Sequence, residues 1–253
     1  MKSIDLNADV GEFTDEESEH REALLIPFVT SINVACGGHA GDDFSMRKSL
    51  LLAQKYGVSV GAHPSFPDRV HFGRIMMTYT TEQIREWIRS QVLQLIEIAE
   101  ELGMQLRHVK PHGALYHVTA NDEQAAAAFC DALEIDRTLM IYTLPESTLE
   151  RIAIGRGFNV VREGFADRNY ENSGQLSPRT FGEAAMIVDA ELGAQQALFL
   201  AQGNPIRART GEMIHITVQS ICIHGDGAHA LDFVKQIRSK LVGAGINIQS
   251  PFE

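Results

Sequence analysis

The chain has 253 residues, of which 44% are hydrophobic and 22% are charged, and its formal net charge is −11. This composition is typical of a globular protein, and the negative charge disfavours nucleic acids and anionic membrane surfaces as partners, so we expect a small-molecule substrate or protein partners. No apolar run approaches the ~20 residues that cross a bilayer.

The amino-terminal segment 1–9 contains no apolar stretch of the kind that directs secretion. The cysteines Cys36, Cys130 and Cys222 are scattered and show no paired spacing. We therefore expect a cytoplasmic protein with neither a disulfide framework nor a thiolate zinc site.

Short apolar segments alternate with longer segments of helical periodicity along the chain. The clearest helix is predicted over residues 81–102, where Thr80 or Thr81 serves as the N-cap and Gly103 ends the helix. Segments predicted as strands, in chain order, are residues 3–7, 31–35, 58–62, 107–111, 138–142, 159–163, 185–188 and 219–224.

This alternation indicates βα units and therefore a parallel sheet. Seven or eight such units in 253 residues favour a TIM-like (β/α) barrel with about seven parallel strands, forming a single domain over residues 1–253. A doubly wound open sheet is the alternative, but its G-x-G-x-x-G sequence does not follow the first predicted strand.

Polar side chains share one face of several predicted strands, since successive side chains of a strand point to opposite sides. Burying many ionisable groups without partners is costly. We therefore expect these groups to face water, one another or a ligand at the mouth of the barrel. The three sets are Asp5, Asn7 and Asp9 in the first strand, His108, Lys110 and His112 in the fourth, and Ser220, Cys222 and His224 in the last.

Several strand ends carry a charged or imidazole side chain beside Gly or Pro, which lets the backbone turn sharply and approach a ligand closely. Barrel enzymes build their sites from these carboxyl-terminal strand ends. A single junction also has a simpler interpretation, since Asp42 would serve as the N-cap of the helix that follows it. The residues that we expect to contact substrate are Asn7, His39, Asp42, Arg74, Glu163, Arg168, His224 and Asp226.

Three histidines and one carboxylate at these strand ends are candidate ligands of a divalent cation such as zinc or manganese. The alternative is that the histidines bond to substrate or backbone with no metal, and the long sequence spacing does not decide between the two. The candidate ligands are Asp9, His39, His63 and His112.

Lys110 stands at a strand end between two histidines of its own face, where it could meet a carboxylate or a phosphate. A structural salt bridge to Glu163 or Asp9 is the alternative. The polar loop 162–178, which contains Arg168, is expected to cover a substrate or to be an ordinary solvated loop.

Six segments of the chain resemble the LamB/YcsF family, and they occur in the order found in that family. They are DLNADVGE from Asp5, NVACGGHAGD from Asn33, GAHPSFPD from Gly61, VKPHGALY from Val109, EGFADRNY from Glu163 and ICIHGD from Ile221. The resemblance implies a barrel of the glycoside hydrolase/deacetylase type. It also implies the role of the A subunit in an ATP-dependent 5-oxoprolinase, which works with subunits B and C to open 5-oxo-L-proline to L-glutamate.

On this resemblance, Asp9 or His63 is the expected general base, and His112 polarises the lactam carbonyl. Lys110 and Arg168 hold the substrate carboxylate or a phosphate. The family usually has a second arginine after Phe-Gly-Arg, but here Arg74 is followed by Ile75, so an anion contact of that arginine would be missing.

ATP, accompanied by Mg²⁺, is expected to bind at strand-end loops or across subunits, because the chain contains no G-x-x-x-x-G-K-[ST] sequence. Two other functions stay open. One is a metal-dependent, deacetylase-like hydrolase of amides or carbohydrates that acts alone, and the other is a non-catalytic substrate-binding subunit. Association of identical chains is also open.

Overall fold

The computed structural model describes residues 2–223 and 230–252. The strands are β1 (Ser3–Val10), β2 (Ser31–Ala35), β3 (Ser59–His63), β4 (His108–Val109), β5 (Met140–Thr143), β6 (Val160–Phe165), β7 (Ile206–Arg207), β8 (Met213–Ile214), β9 (Ser220–Cys222) and β10 (Asn247–Ile248). The α-helices are α1 (Glu16–Leu25), α2 (Asp43–Tyr56), α3 (Thr81–Glu101), α4 (Gly113–Asn121), α5 (Glu123–Ala132), α6 (Thr148–Gly155), α7 (Ala190–Gln202) and α8 (Ala230–Gly243).

Seven parallel strands of the described chain form a closed barrel. The strands β1 to β6 pair in chain order, β6 pairs with β9, and β9 pairs with β1 to close the ring. In the closing register, Ser220 lies opposite both Asp5 and Glu163. The short β10 pairs with the start of β1, and β7 and β8 form a separate antiparallel pair. The predicted barrel of about seven parallel strands is confirmed, and the single-domain organisation stays a prediction.

The helix α3 shows why the predicted elements form where they do. The side chain of Thr80 accepts a hydrogen bond from the backbone nitrogen of Gln83, which caps the first turn. An apolar stripe that includes Ile84 and Ile88 is buried against the barrel. Gly103, with φ of 68°, follows the last turn and ends the helix.

The predicted strand over residues 185–188 is wrong. A 3-10 helix, Arg179–Ala185, precedes this segment, and Met186 makes only an isolated bridge to Arg168. Because β9 already pairs with β6 and β1, the barrel offers no free edge to a further strand. The end of the last predicted strand, at His224, lies outside the described residues.

The two faces of β1 separate the apolar core from a polar interior. Its outward side chains, among them Leu6 and Val10, pack into the apolar layer between barrel and helices. The inward side chains Asp5, Asn7 and Asp9 are also buried, so the barrel interior is polar. Within the part of the chain that the structure describes, none of the helices has the length and apolarity that crossing a bilayer requires.

Candidate active site

The lowest layer of the barrel interior surrounds the carboxylate of Asp5. Its oxygens accept hydrogen bonds from Thr30 Oγ1 at 2.7 Å, Ser31 Oγ at 2.7 Å and Tyr142 OH at 3.0 Å, and from Ser220. Burial raises the pKa of Asp5, whereas these hydroxyl groups favour its carboxylate form. This layer is a closed hydrogen-bond network that gives the barrel a polar base.

The middle layer is built from amides and one imidazole. Asn33 Nδ2 donates to Asn7 Oδ1 and to Asp9 Oδ1, both at 2.8 Å, and Asn33 Oδ1 accepts from His108 Nε2 at 2.7 Å. Asn7 Nδ2 donates to Ser220 Oγ at 2.8 Å. Burial, followed by the charge of Lys110, lowers the pKa of His108 to about 3. His108 is therefore held as a neutral ring.

Lys110 lies above this layer, between two carboxylates. Its Nζ is 2.9 Å from Asp9 Oδ1, 2.9 Å from Glu163 Oε1 and 3.1 Å from Cys222 Sγ. Burial by itself would lower the pKa of Lys110, but the charges of Asp9, Cys222 and Glu163 raise it well above its ordinary value. Tyr116 OH donates to the other oxygen of Glu163 at 2.9 Å. Lys110 therefore forms salt bridges to both Asp9 and Glu163, the structural alternative to an anion contact.

Three imidazoles meet at the carboxyl ends of the strands. The rings of His39 and His112 stack with centroids 3.6 Å apart, and His63 Nε2 lies 3.0 Å from His112 Nδ1. Glu12 Oε1 is 2.8 Å from His39 Nε2, and Asp9 Oδ2 is 3.2 Å from His63 Nε2. This group of Glu12, His39, His63 and His112, hereafter the histidine cluster, could hold a metal ion.

Burial keeps two of these rings neutral. It lowers the pKa of His39 to about 3. It also lowers the pKa of His112 well below the ordinary range, and the neighbouring rings of His39 and His63 act in the same direction. Neutral imidazoles are the form in which histidine binds metal ions and accepts protons.

The loop before α3 and the turn after β1 hold the histidine cluster in place. Phe72 and Gly73 adopt φ values of 56° and 62°, and a Cβ atom on Gly73 would lie 2.9 Å from the Cβ of His39. On the other side, the carboxylate of Glu22 accepts hydrogen bonds from the backbone nitrogens of Gly11, at 2.7 Å, and Glu12, at 3.0 Å. Burial raises the pKa of Glu22 to about 7.

A narrow cavity of ≈ 50 Å³ lies over these groups. Lys110 and the cluster histidines His63 and His112 lie along it together with Arg74, Arg168 and Arg179. Several cations around one cavity favour a ligand that carries a carboxylate or a phosphate.

Arg168 is a buried member of this wall. Its Nη2 donates to the backbone oxygen of Ser177 at 2.7 Å. Burial, followed by the charge of Arg179, lowers its pKa to about 10. The loop predicted to cover a substrate therefore contributes at least Arg168 and Leu176 to the cavity wall.

The structure brings most of the predicted site residues together. Asn7 lies one layer below, where its Oδ1 is 3.4 Å from Lys110 Nζ. Asp42 is exposed and caps α2 by accepting a hydrogen bond from the backbone nitrogen of Ser45. This agrees with the simpler interpretation of Asp42 as a helix N-cap. His224 and Asp226 lie outside the described residues. The predicted residues found around the cavity or the histidine cluster are Asp9, His39, His63, Arg74, Lys110, His112, Glu163 and Arg168.

Sequence reasoning missed four residues of the site. Glu12 could have been identified from the sequence, because it belongs to the Gly-containing turn that follows β1. Tyr116 and Glu22 lie on helices, and Arg179 lies in the 3-10 helix, so no strand alternation points to them. Their positions depend on how the helices pack around the barrel.

Three comparisons place the chain among known proteins. The LamB/YcsF family matches residues 4–253. A protein of Tolumonas auensis, named as the A subunit of 5-oxoprolinase, is 40% identical over 99% of this chain and 100% of its own. The crystal structure of a lactam utilization protein from Thermus thermophilus is 34% identical, covers 98% of this chain and 99% of its own, and superposes with a TM-score of 0.89.

A more distant structure shows the fold alone. The Xyl-CE4 domain of a xylanase from the hindgut metagenome of Trinervitermes trinervoides is 11% identical and superposes with a TM-score of 0.50. It covers 99% of this chain and 88% of its own. The predicted barrel fold is thereby confirmed.

Proposed function

Because the chain belongs to the LamB/YcsF family, we propose that it is the A subunit of an ATP-dependent 5-oxoprolinase. In this proposal it acts with subunits B and C, and it opens the lactam of 5-oxo-L-proline to L-glutamate as ATP is hydrolysed. Relatives that are named as the A subunit of 5-oxoprolinase support it, as does the similar structure of a lactam utilization protein.

The observation that carries the proposal is the arrangement at the floor of the cavity. An oriented imidazole, His63, lies beside the Asp9 carboxylate and above the Lys110 ammonium group. The arginines of the wall, Arg74 and Arg168, suit the carboxylate of 5-oxoproline. The site therefore combines a base with cations around one cavity.

We assign His63 as the general base. Its Nδ1 lies 2.8 Å from the backbone oxygen of Lys110, which can only accept, so Nδ1 carries the proton in the neutral ring. The lone pair of Nε2 then faces Asp9 and His112. In this position Nε2 would take a proton from a water molecule, and Asp9 would stabilise the imidazolium that forms.

Lys110 has a different role from the direct anion contact expected from the resemblance. Its ammonium group donates hydrogen bonds to Asp9 and Cys222 and lies 2.9 Å from Glu163 Oε1, so its charge is already directed to groups inside the barrel. We propose that Lys110 holds Asp9 and supplies positive charge below the reacting atoms. Arg74 and Arg168 bind the substrate carboxylate or a phosphate.

His112 also has one nitrogen committed to the backbone. Its Nε2 is 3.0 Å from the carbonyl oxygen of Phe72, so in the neutral ring Nδ1 has a lone pair and no proton to give. The lactam carbonyl would be polarised by His112 only if the ring were charged. We therefore propose that His112 does not polarise the carbonyl and instead packs against the rings of His39 and His63 at the floor of the cavity.

ATP supplies the activation that an unstrained lactam needs. Phosphorylation of the lactam oxygen breaks the bond between the γ-phosphorus and the bridging oxygen of ATP, and ADP leaves. A first water molecule then adds to the activated carbon, and the carbon–nitrogen bond opens to give the amine and an acyl phosphate. A second water molecule hydrolyses the acyl phosphate to the carboxylate of glutamate and free phosphate. We propose that ATP, with Mg²⁺, is held between subunits or by strand-end loops, since the sequence has no phosphate-binding loop of the Walker type.

The histidine cluster favours a second candidate function. Three imidazoles and a carboxylate are the ligand types of a metal-dependent hydrolase that cleaves an amide without ATP. Such an enzyme would act alone and would not need partner subunits. A third function, substrate binding without catalysis, would require binding that survives loss of the general base.

The experiment measures glutamate and phosphate release from 5-oxo-L-proline and ATP, with this chain alone and with its candidate partner subunits. We expect both products only in the complete mixture, and we expect the variant His63→Gln to release neither. His71→Gln, which changes a largely exposed histidine, is the matched control and keeps the wild-type rate. Amide hydrolysis by the chain alone without ATP would favour the second function, and wild-type turnover in His63→Gln would remove His63 from the chemistry.

A further inference from the structure

Two backbone carbonyls fix the tautomers of two histidines in the cluster. His63 Nδ1 faces the oxygen of Lys110 at 2.8 Å, and His112 Nε2 faces the oxygen of Phe72 at 3.0 Å. A carbonyl oxygen only accepts hydrogen bonds, so both of these nitrogens carry protons. In neutral rings, the remaining nitrogens, His63 Nε2 and His112 Nδ1, hold lone pairs.

These two lone pairs point at each other. His63 Nε2 and His112 Nδ1 are 3.0 Å apart, which is hydrogen-bond distance, yet neither has a proton to donate in the neutral rings. Asp9 Oδ2 lies 3.2 Å from the first nitrogen, and Glu12 Oε1 lies 3.7 Å from the second. Four electron-rich atoms thus meet in one place. Lys110 offsets the charge of Asp9, and a positive species between the two ring nitrogens would stabilise the remaining atoms.

His39 adds a fifth candidate ligand atom. Its Nε2 is 2.8 Å from Glu12 Oε1, and the residue is only 2% exposed. A carboxylate oxygen accepts hydrogen bonds, so Nε2 carries the ring proton when no ion is present. An ion between Nε2 and Glu12 would displace that proton, and Nδ1, which has no hydrogen-bond partner among the described residues, would carry it instead.

We propose that the histidine cluster is a binding site for one divalent transition-metal ion of the zinc type, with ligands from Glu12, His39, His63 and His112. This set differs from the one predicted from the sequence, because Glu12 replaces Asp9. Asp9 Oδ1 accepts hydrogen bonds from Lys110 and Asn33. When an ion is bound, His63 Nε2 is a ligand and no longer takes a proton, so Asp9 Oδ2, 3.2 Å from that nitrogen, would act as the general base in its place.

Ligand distances and chemistry agree with an ion of this kind. One ligand atom from each of the four residues lies within 4.8 Å of those of the others. In a tetrahedral site, zinc bonds of about 2.1 Å place ligand atoms about 3.4 Å apart, so side-chain movements of up to about 1.4 Å would close the site. Imidazole ligands favour zinc-type ions over Mg²⁺, which prefers oxygen ligands.

The surroundings of the rings are those of metal-ligating histidines. Such a histidine usually donates its second N–H to a carbonyl or carboxylate oxygen, as His63 and His112 do here to Lys110 and Phe72. Phe72, at φ of 56°, holds its carbonyl toward His112 from a backbone conformation that is unusual for a residue with a side chain. A bound ion at this place would polarise a carbonyl or a water molecule at the floor of the cavity.

The test is metal binding by the isolated full-length chain, which needs neither substrate nor partner subunits. Protein stripped with a chelator is titrated calorimetrically with Zn²⁺ and, in a separate experiment, with Mg²⁺. We expect one Zn²⁺ per chain and at least a hundredfold weaker Mg²⁺ binding, because imidazoles disfavour Mg²⁺. The visible spectrum of the Co²⁺-loaded protein should show the same single, saturable site.

Variants locate the ion. His63→Gln and Glu12→Gln should each weaken Zn²⁺ binding by about a hundredfold or more, and circular dichroism checks that each variant is folded. His71→Gln removes a histidine that pairs with Asp68 outside the cluster and should leave the Zn²⁺ affinity unchanged.

Two outcomes would overturn the site. One is the absence of saturable Zn²⁺ binding by the wild-type chain, which would mean that a proton holds the cluster together. The other is Zn²⁺ binding that survives both cluster variants unchanged, which would place the ion elsewhere. Zinc binding in a chain that never supports 5-oxoproline turnover would count against the proposed reaction and leave the metal site standing.

Discussion

Lys110 Nζ donates a 2.9 Å hydrogen bond to Asp9 Oδ1 inside the barrel, where both residues are buried. The same ammonium group lies 2.9 Å from Glu163 Oε1. Two carboxylates thus depend on one cation for charge compensation. Removing that cation leaves negative charge in the barrel interior, which is far more costly than losing an exposed salt bridge.

The first prediction concerns Lys110→Met, which keeps the length of the side chain and removes its charge. We expect a loss of about 3–5 kcal/mol in the free energy of unfolding, because Asp9 and Glu163 lose their partner. Turnover with partner subunits should be abolished. Chemical denaturation and product release measure the two effects.

The double variant Lys110→Met with Glu163→Gln provides the control. Removing one carboxylate should restore part of the lost stability but not the turnover, because Asp9 still lacks its partner. Wild-type turnover in Lys110→Met would contradict the assignment of Lys110 to the active site.

The second prediction concerns His108 and acid. Its pKa is lowered to about 3 in the folded protein, mainly by burial, against an ordinary value of 6.5. Between these pH values the unfolded chain binds a proton at His108 that the folded chain does not, so stability falls as pH falls from 6.5 toward 3. The slope contributed by this residue is at most about 1.4 kcal/mol per pH unit.

His108→Gln should make the acid dependence shallower, since the amide can replace the hydrogen bond to Asn33 and does not titrate. The free energy of unfolding is measured by denaturant titration at several pH values. His20→Gln, at an exposed position of α1, is the control and should leave the slope unchanged. Equal slopes for wild type and His108→Gln would contradict the prediction.

The third prediction compares two glycines with similar backbone conformations. Gly73 and Gly103 have φ values of 62° and 68°. A Cβ atom at Gly73 would lie 2.9 Å from His39 Cβ and 3.2 Å from His112 Cδ2, whereas a Cβ atom at Gly103 would meet nothing within 4 Å. Alanine at either position costs about 1 kcal/mol of backbone strain, and only the first also displaces the histidine cluster.

Gly73→Ala should therefore cost about 1–3 kcal/mol more than Gly103→Ala and should lower turnover, whereas Gly103→Ala keeps the wild-type rate. Thermal unfolding and turnover of the two variants are measured side by side. If the two variants behave alike, the packing of Gly73 against the cluster has no influence on the site.

The fourth prediction concerns Ile75, an exposed apolar residue next to a cationic cavity. Ile75 is 50% exposed and follows Arg74, which lies along the cavity. Ile75→Arg should add a cation near the mouth and lower the KM for anionic 5-oxoproline a few-fold with little change in kcat. The effect should shrink as salt is added, because exposed charges are screened.

Ile154→Arg adds the same charge at a residue that is 55% exposed on α6 and is not among those that line the cavity. It should leave the KM unchanged. A KM that responds equally to both substitutions would show that net charge, and not position, sets the affinity.

The strands could be predicted from the sequence because their apolar and polar side chains alternate. Alternation predicts that Asp5, Asn7 and Asp9 share one face of β1, and the structure places all three in the barrel interior. The alternation did not predict that these groups hydrogen-bond to other side chains in layers. Asn33 and Tyr142, which complete the layers, come from other strands. Only the register between strands decides which side chains meet.

The parts of the site that helices contribute could not be predicted in this way. Tyr116 reaches Glu163 from α4, and Glu22 holds the turn of Glu12 from α1. These contacts depend on how each helix is rotated against the barrel, which a single sequence does not specify residue by residue. The segment 185–188 was mistaken for a strand because an apolar run alone does not show whether a neighbouring strand is available.

Closure of the ring also has a consequence for how the chain folds. Asn7 in β1 and Ser220 in β9 hydrogen-bond to each other although they are 213 positions apart. Until β9 arrives, β1 and β6 are the edges of an open sheet with unpaired backbone groups, and Asp5 lacks the hydroxyl of Ser220. Pairing over such sequence separations is slow, so a partly synthesised chain passes through a state in which two sheet edges are open to other chains.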